Sequence, residues 1–309
     1  MYSRRSIVLA VLVGLAFMAS TTQPWIQGSR LLAGKLADKF SFSGVGYDGS
    51  FRAVDDSFHR EFDTDGIHGV QVEVPLGDIT VTRARDDKIS IDGERVAYGP
   101  SDQIARDRLR YVCLDAVQDG DIVRIIGSVM QPEPSSANAP GPNGGSTSIV
   151  LGVPSGIAVD VRSKAGTVAL NGLQGKVETY VDMGNVEARS IAGDLTIKTS
   201  AGRIAVTNAT IEEELSLTTS MGNIEFDGSL GTQNYIEASA GRVQMTVPRS
   251  TCVTLNAVTN AGKVDIRLPV TQTELEGTKS SAVGILGQGQ PTGDLKIRVL
   301  MGEINISGK

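Results

Sequence analysis

The sequence predicts an all-β chain whose larger part is a single-stranded parallel β-helix, a right-handed β-solenoid with about 18–21 residues per rung. Three observations predict it. A short signal recurs through residues 149–309: a polar or small residue, Ala or Met, Gly, any residue, then Val or Ile. Around each copy apolar and polar residues alternate, the period-2 pattern of a strand with one buried face. Aromatic residues make up only 5% of the 309 residues while glycines number 36, a balance that suits many short strands joined by tight turns.

The chain opens with the layout of an export signal. Arg4 and Arg5 precede an apolar run from Ile7 to Ala19, and polar Ser20 to Gln23 follow. A membrane span needs about 20 apolar residues, so this shorter run suits a signal h-region. Residues 1–23 read as a signal peptide or an uncleaved signal anchor. No Cys follows them to carry a lipid. The expected location is therefore exported: periplasmic, at the cell surface, or held to the membrane by the N-terminal segment alone.

Residues 24–68 read as irregular, with a Gly/Ser stretch at 41–50 and a charged stretch at 55–65. Strand patterning starts at Gly69: Val70, Val72 and Val74 alternate with polar partners, Pro75 to Asp78 turn, and Ile79 and Val81 resume. Residues 69–130 are expected to begin the coil, with a short helical turn at 100–110. Four prolines (Pro132, Pro134, Pro140, Pro142) among Ser, Gly and Asn mark 131–148 as a linker or loop.

The repeat follows. Gly166, Gly184, Gly202, Gly222, Gly241 and Gly262 lie 18, 18, 20, 19 and 21 residues apart, and Gly302 comes 40 further on, close to two units. Near-constant spacing of equivalent residues is what stacking requires and a sandwich of hairpins does not. Stacked rungs would align Val168, Val186, Ile204, Ile224, Val243, Val264 and Ile304 in an interior ladder rising about 4.8 Å per rung. The residue before each Gly runs Ala, Met, Ala, Met, Ala, Ala, Met, and is expected to point inward, with flexible Met filling the space that Ala leaves. Arg203, Arg242 and Lys263, just after Gly, would form a basic stripe or simply a solvated face. Residues 268–292, with Pro269, Gly277, Gly284, Gly287, Gly289 and Pro291, read as a loop inserted in one rung. With Ile304 and Ile306 so near the end, little chain remains to cap the coil, and its ends invite self-association.

Three stretches resemble the bacterial "putative adhesin" family, a domain of unknown function with an expected β-helix fold. They are Gly69 to Val81, the series of Ser/Thr-x-x-Gly-x-Val/Ile repeats, and the close from Gly293-Asp294-Leu295 to Gly302-Glu303-Ile304-Asn305-Ile306. Together they cover about residues 45–309. The resemblance implies an envelope-associated protein and brings no catalytic residues with it. The linker at 131–148 departs from the family pattern.

The chemistry searched for in the residues is sparse. The net charge of −6 and pI near 5.1 give no footing for nucleic acid. His59 and His68 flank Asp63-Thr64-Asp65-Gly66, but the terminal Glu and spacing of a calcium loop are missing, so a charged surface loop is expected there. Cys113 and Cys252 are the only cysteines; export would permit a disulfide, yet both sit in apolar strand contexts and read as buried small hydrophobes. Asp160, Asp182, Asp194, Glu225, Asp227 and Asp265 could pair by stacking, as a polysaccharide-cleaving β-helix would need. Such a site also wants aromatic platforms, and Tyr180, Phe226 and Tyr235 are the only aromatics of the repeat, with Trp25 in or beside the signal. The reading is therefore a non-catalytic, adhesin-like interaction or structural protein of the cell envelope, with no catalytic, cofactor or metal residues. Its partner would be an envelope protein or glycan. The alternatives are a polysaccharide-acting β-helix enzyme or a self-associating scaffold.

Overall fold

The computed structural model describes residues 52–130, 145–270, 274–276 and 279–309. The alternating segments all become strands, and every strand among these residues is hydrogen-bonded into one large mixed sheet. Each repeat signal marks a corner. Val177–Met183 and Val186–Arg189, for example, are the two arms of one rung, joined through Gly184.

Corresponding arms pair in parallel with the rungs above and below. The first arms stack in the order Ile122–Val129, Gly69–Leu76, Ala158–Ala165, Val177–Met183, Ala192–Ala201, the later half of Ile204–Met221, Gln233–Ala240, Asp294–Met301 and Val253–Ala261. The second arms follow the same levels, from Gly145–Val153 and Ile79–Arg83 through to Ile304–Gly308 and Val264–Ile266. Nine levels at about 4.8 Å each make a stack roughly 40 Å long.

The levels are not in chain order. At one end, the early rung 69–83 lies inside the later one formed by Ile122–Val129 and Gly145–Val153. At the other, the last rung slips between two earlier ones: Ile304 pairs with Val243 on one side and Val264 on the other. The ladder expected from the sequence therefore runs Val168, Val186, Ile204, Ile224, Val243, Ile304, Val264, preceded by Ile149 and Ile79. All are buried except Val264, which is half-buried at the outermost level. Ile304 and Ile306 are interior residues and do not close the stack.

Antiparallel strands cover both ends. Val112–Asp119 lies on Ile122–Val129, Lys88–Gly99 on Gly145–Val153, and Arg52–Asp63 on Lys88–Gly99. At the far end Lys279–Leu286 runs antiparallel to Val253–Ala261, and Glu274–Glu276 pairs with it in turn. Three sequence expectations change accordingly. Part of the irregular segment 24–68 is the strand Arg52–Asp63, whose dense charges suit an edge that must not recruit further strands. The linker 131–148 yields its last residues to Gly145–Val153. The loop 268–292 carries the strand Lys279–Leu286. The segments 1–51 and 131–144, with the signal 1–23, lie outside the described residues. The turn at 100–110 is a helix, Asp102–Leu109, capped by Ser101, whose Oγ accepts the Ile104 N–H at 3.4 Å.

The corner explains the glycines. At Gly222 φ is +149°, and a Cβ would sit 1.8 Å from the carbonyl oxygen of Gly202 on the level before it. The same collision recurs along the column Gly77, Gly166, Gly184, Gly202, Gly222, Gly241, Gly302, Gly262. Only a residue without a side chain lets the backbones stack this closely. In return the ladder runs round the corner unbroken: Gly184 N–H donates to the Ala201 carbonyl at 2.9 Å, and Gly202 N–H to that of Met221 at 2.9 Å.

Candidate interaction surface

Two outward features stand out: the polar face of the first arms, and the corner edge beside the glycine column. On the first arms Asp160 and Glu178 occupy the same position on adjacent levels. Each has its own cation on its own arm: Arg162 bonds Asp160 at 3.0 Å, and Lys176 meets Glu178 at 2.8 Å. These carboxylates hold both cations' pKa values above their usual range. Tyr180, on the level between Arg162 and Lys198, has both cations over its ring, at 5.7 and 5.6 Å from the centroid. Partial desolvation, then the nearby Glu178 and Asp160, raises its pKa.

Further along the face the Tyr235 hydroxyl donates to Glu237, and that bond leads the causes that raise the tyrosine's pKa. Asn234 stands where neighbouring levels carry Leu215 and Leu295. It is buried and fully engaged: its Nδ2 donates to the carbonyls of Gly231 and Asp294, at 2.8 and 2.9 Å, and its Oδ1 accepts the Gly231 N–H at 3.1 Å. It ties the rung 233–247 to the last rung of the chain.

The other candidate residues disperse. Asp194 accepts the N–H groups of Glu213 and Glu214, at 3.1 and 3.0 Å, and so works as a turn cap. Glu225 pairs with Arg203, Asp227 with Lys309, and Asp265 lies 3.8 Å from Arg267. Asp182 is exposed on the corner, and Phe226 is buried in the core. The basic stripe does not form. Arg203 and Arg242 are separated by the level of Asn223 and bonded to Glu225 and Glu303, and the level of Glu303 stands between Arg242 and Lys263. His59 bonds Asp92 at 2.7 Å, from the edge strand to its neighbour, while exposed His68 lies on the far side of the turn. Cys113 and Cys252 are free thiols, the first half-buried and the second buried. Among the described residues no group of three or more His, Cys, Asp or Glu could hold a metal ion, and no helix is long and apolar enough to cross a membrane.

The corner edge was missed by sequence reasoning. Met183, Met221 and Met301 do not point inward; they are 58, 63 and 61% exposed. Period-2 counting from buried Val181 places Met183 inside. The arm bends before its glycine, however, so Asp182 and Met183 both face out. The same double outward step ends Ile204–Met221 and Asp294–Met301. The residue before each Met is Asp182, Ser220 and Leu300, so no common polar pattern in the sequence marks the bend.

The family model described as Toastrack DUF4097 matches residues 67–307. Among solved structures, the chain is similar to a "putative cell adhesion protein" from Clostridium sporogenes ATCC 15579, at 12% identity over 83% of this chain and 100% of that one, with a TM-score of 0.37. It is also similar to a "putative adhesin" from Bacteroides fragilis NCTC 9343, at 12% identity over 82% and 97% of the two chains, with a TM-score of 0.26. A third is a "putative lipid binding protein" from Parabacteroides distasonis ATCC 8503, at 11% identity over 82% and 97%, with a TM-score of 0.35. No curated protein matches the chain.

Proposed function

The chain belongs to the Toastrack DUF4097 family, and from that premise we propose that it is a non-catalytic, exported interaction or structural protein of the bacterial cell envelope. In this reading the nine parallel levels are a β-solenoid, one coil per 18–20 residues through its middle, acting as a rigid rod that presents side chains at fixed intervals. One observation carries the proposal. Six outward carboxylates, Asp160, Glu178, Asp194, Glu225, Asp227 and Glu303, are matched to cations or backbone N–H groups of the same surface. A hydrolase instead needs two carboxyl groups held apart across a substrate, one of them kept protonated. The face around Arg162, Tyr180 and Lys198 is the natural contact for an envelope protein or glycan, with a ring for stacking and charges beside it.

The experiment is sedimentation of the full chain with isolated cell envelopes, for the wild type and for Tyr180→Ala and Arg162→Ala. Several-fold weaker binding by both variants supports this face, and unchanged binding removes it. An envelope polysaccharide hydrolysis that Asp160→Asn or Glu178→Gln abolishes would replace the proposal with the enzyme reading. Fractionation with N-terminal sequencing tests export and shows whether the N-terminal segment is kept as an anchor.

A further inference from the structure

The stacking registers put the residues before the corner glycines in the order Leu76, Ala165, Met183, Ala201, Met221, Ala240, Met301, Ala261. Large and small alternate along these eight levels. Chain order lacks this regularity, since Ala240 and Ala261 follow one another there; inserting the last rung between theirs restores it. The methionines stand on alternate levels, about 9.6 Å apart, and each is more than half exposed. Interior packing needs no such regularity on the outside of the stack.

We propose that this edge is a lateral pairing surface for a second copy of the same chain, with the two stacks antiparallel. The order of levels, reversed, is its own complement. With a two-fold axis midway between the levels of Ala201 and Met221, Leu76 faces Ala261, Ala165 faces Met301, Met183 faces Ala240 and Ala201 faces Met221. Each contact then occurs twice, as an isologous interface requires. Every large side chain meets an alanine gap. A parallel pair in register would instead set Met against Met and Ala against Ala.

The flanking charges agree independently. The residues after the glycines run Asp78, Thr167, Asn185, Arg203, Asn223, Arg242, Glu303, Lys263 from level to level, as the backbone bonds between levels show. The side-chain oxygens of Asp78, Asn185 and Asn223 also accept the N–H groups of Thr167, Arg203 and Arg242, which leaves the second oxygen of Asp78 for a partner. The same axis sets Asp78 opposite Lys263, Thr167 opposite Glu303, Asn185 opposite Arg242 and Arg203 opposite Asn223. No like charges meet, and the outermost pair attracts at both ends. On the other flank Ser200 faces Ser220 at the centre, short side chains that let the backbones approach. The strip is about 35 Å long but only some four residues wide, roughly 12 Å. That area falls in the class of weak, concentration-dependent associations rather than obligate dimers.

Sedimentation velocity on the full chain over a concentration series should show a reversible monomer–dimer equilibrium that stops at two copies. Met221 is exposed, so Met221→Asp should leave the circular dichroism and melting temperature unchanged while weakening dimerisation at least tenfold. Lys263→Asp should weaken it as well, and Lys263→Asp with Asp78→Lys should restore it. Carbodiimide coupling provides a geometric check. Asp78 and Lys263 lie seven levels apart in one copy, about 34 Å, so an amide between them forms only across two copies. A monomer at every concentration, a dimer indifferent to Met221→Asp, or open-ended polymers without the Asp78–Lys263 link would each overturn the proposal. None of these results bears on envelope binding through Tyr180.

Discussion

At the scale of single residues, the corner glycines make the sharpest demand. Gly222→Ala combines a positive φ of +149° with a methyl 1.8 Å from a carbonyl oxygen that the stack holds in place. It should destabilise by on the order of 4 kcal/mol or more, the range reserved for strain that cannot relax. Gly120 also has positive φ, at +66°, but a Cβ there meets nothing within 4 Å; Gly120→Ala should cost only about 1 kcal/mol. Chemical denaturation of the two variants separates close approach from backbone conformation. The sequence alone exposed these glycines as a series, though Gly77 went unrecognised because its level lies before the linker. A second comparison concerns buried hydroxyls. Thr219 Oγ1 is buried without a hydrogen-bond partner, whereas Thr259 Oγ1 donates to the Gly302 carbonyl at 3.1 Å. Thr219→Val should therefore stabilise by about 1 kcal/mol and Thr259→Val should destabilise by a similar amount. Opposite shifts in the denaturation midpoint are the expected reading; shifts of the same sign would count against the difference in bonding.

At the scale of elements, the polar face has a signature in alkali. Tyr235 is raised first by its bond to Glu237, then by partial desolvation. A tyrosine whose folded pKa exceeds its unfolded value contributes stability that is present below about pH 10 and is lost as pH rises through the folded value. Tyr180 acts with the same sign. Phenolate absorbance should show both ionising after tyrosines of ordinary pKa, and Glu237→Gln should bring Tyr235 down towards them. Element identity was largely readable, because period-2 alternation survives wherever one face is buried. The edge strand Arg52–Asp63 escaped notice for a physical reason: it pairs on one side only, so charge replaces the apolar signal. The exposed methionines escaped because alternation fails at the bend, where two residues in succession leave the core.

For the whole molecule, the order of levels was the part the sequence withheld. Spacing reveals that rungs stack, but the 40-residue step to Gly302 is equally consistent with a skipped unit and with a return past a neighbour. Only the pairing of Leu295 with both Asn234 and Leu255 distinguishes them. Removing residues 294–309 takes a level out of the interior and leaves two strands facing one another across a gap. Cooperative unfolding should be lost, with aggregation in its place. Deleting residues 52–63 takes out the edge strand alone and should lower the melting temperature by a few degrees. If both deletions melt alike, the inserted level does not organise the stack. Folding should also be slow, since the inserted level cannot dock until partners about 40 and 60 residues away are in place.

The same insertion has a mechanical side. A strand at the edge of a sheet can be peeled, one hydrogen bond at a time. Ile304–Gly308 is clasped between Val243–Val247 and Val264–Ile266, so tension applied through the C-terminus pulls it lengthwise against two neighbours at once. Its bonds must then fail together. Held by that end in an optical trap, the molecule should resist in one abrupt rupture, whereas tension through Arg52 should unravel the cap strands gradually, at lower force. The molecule should bear load far better from one end than from the other.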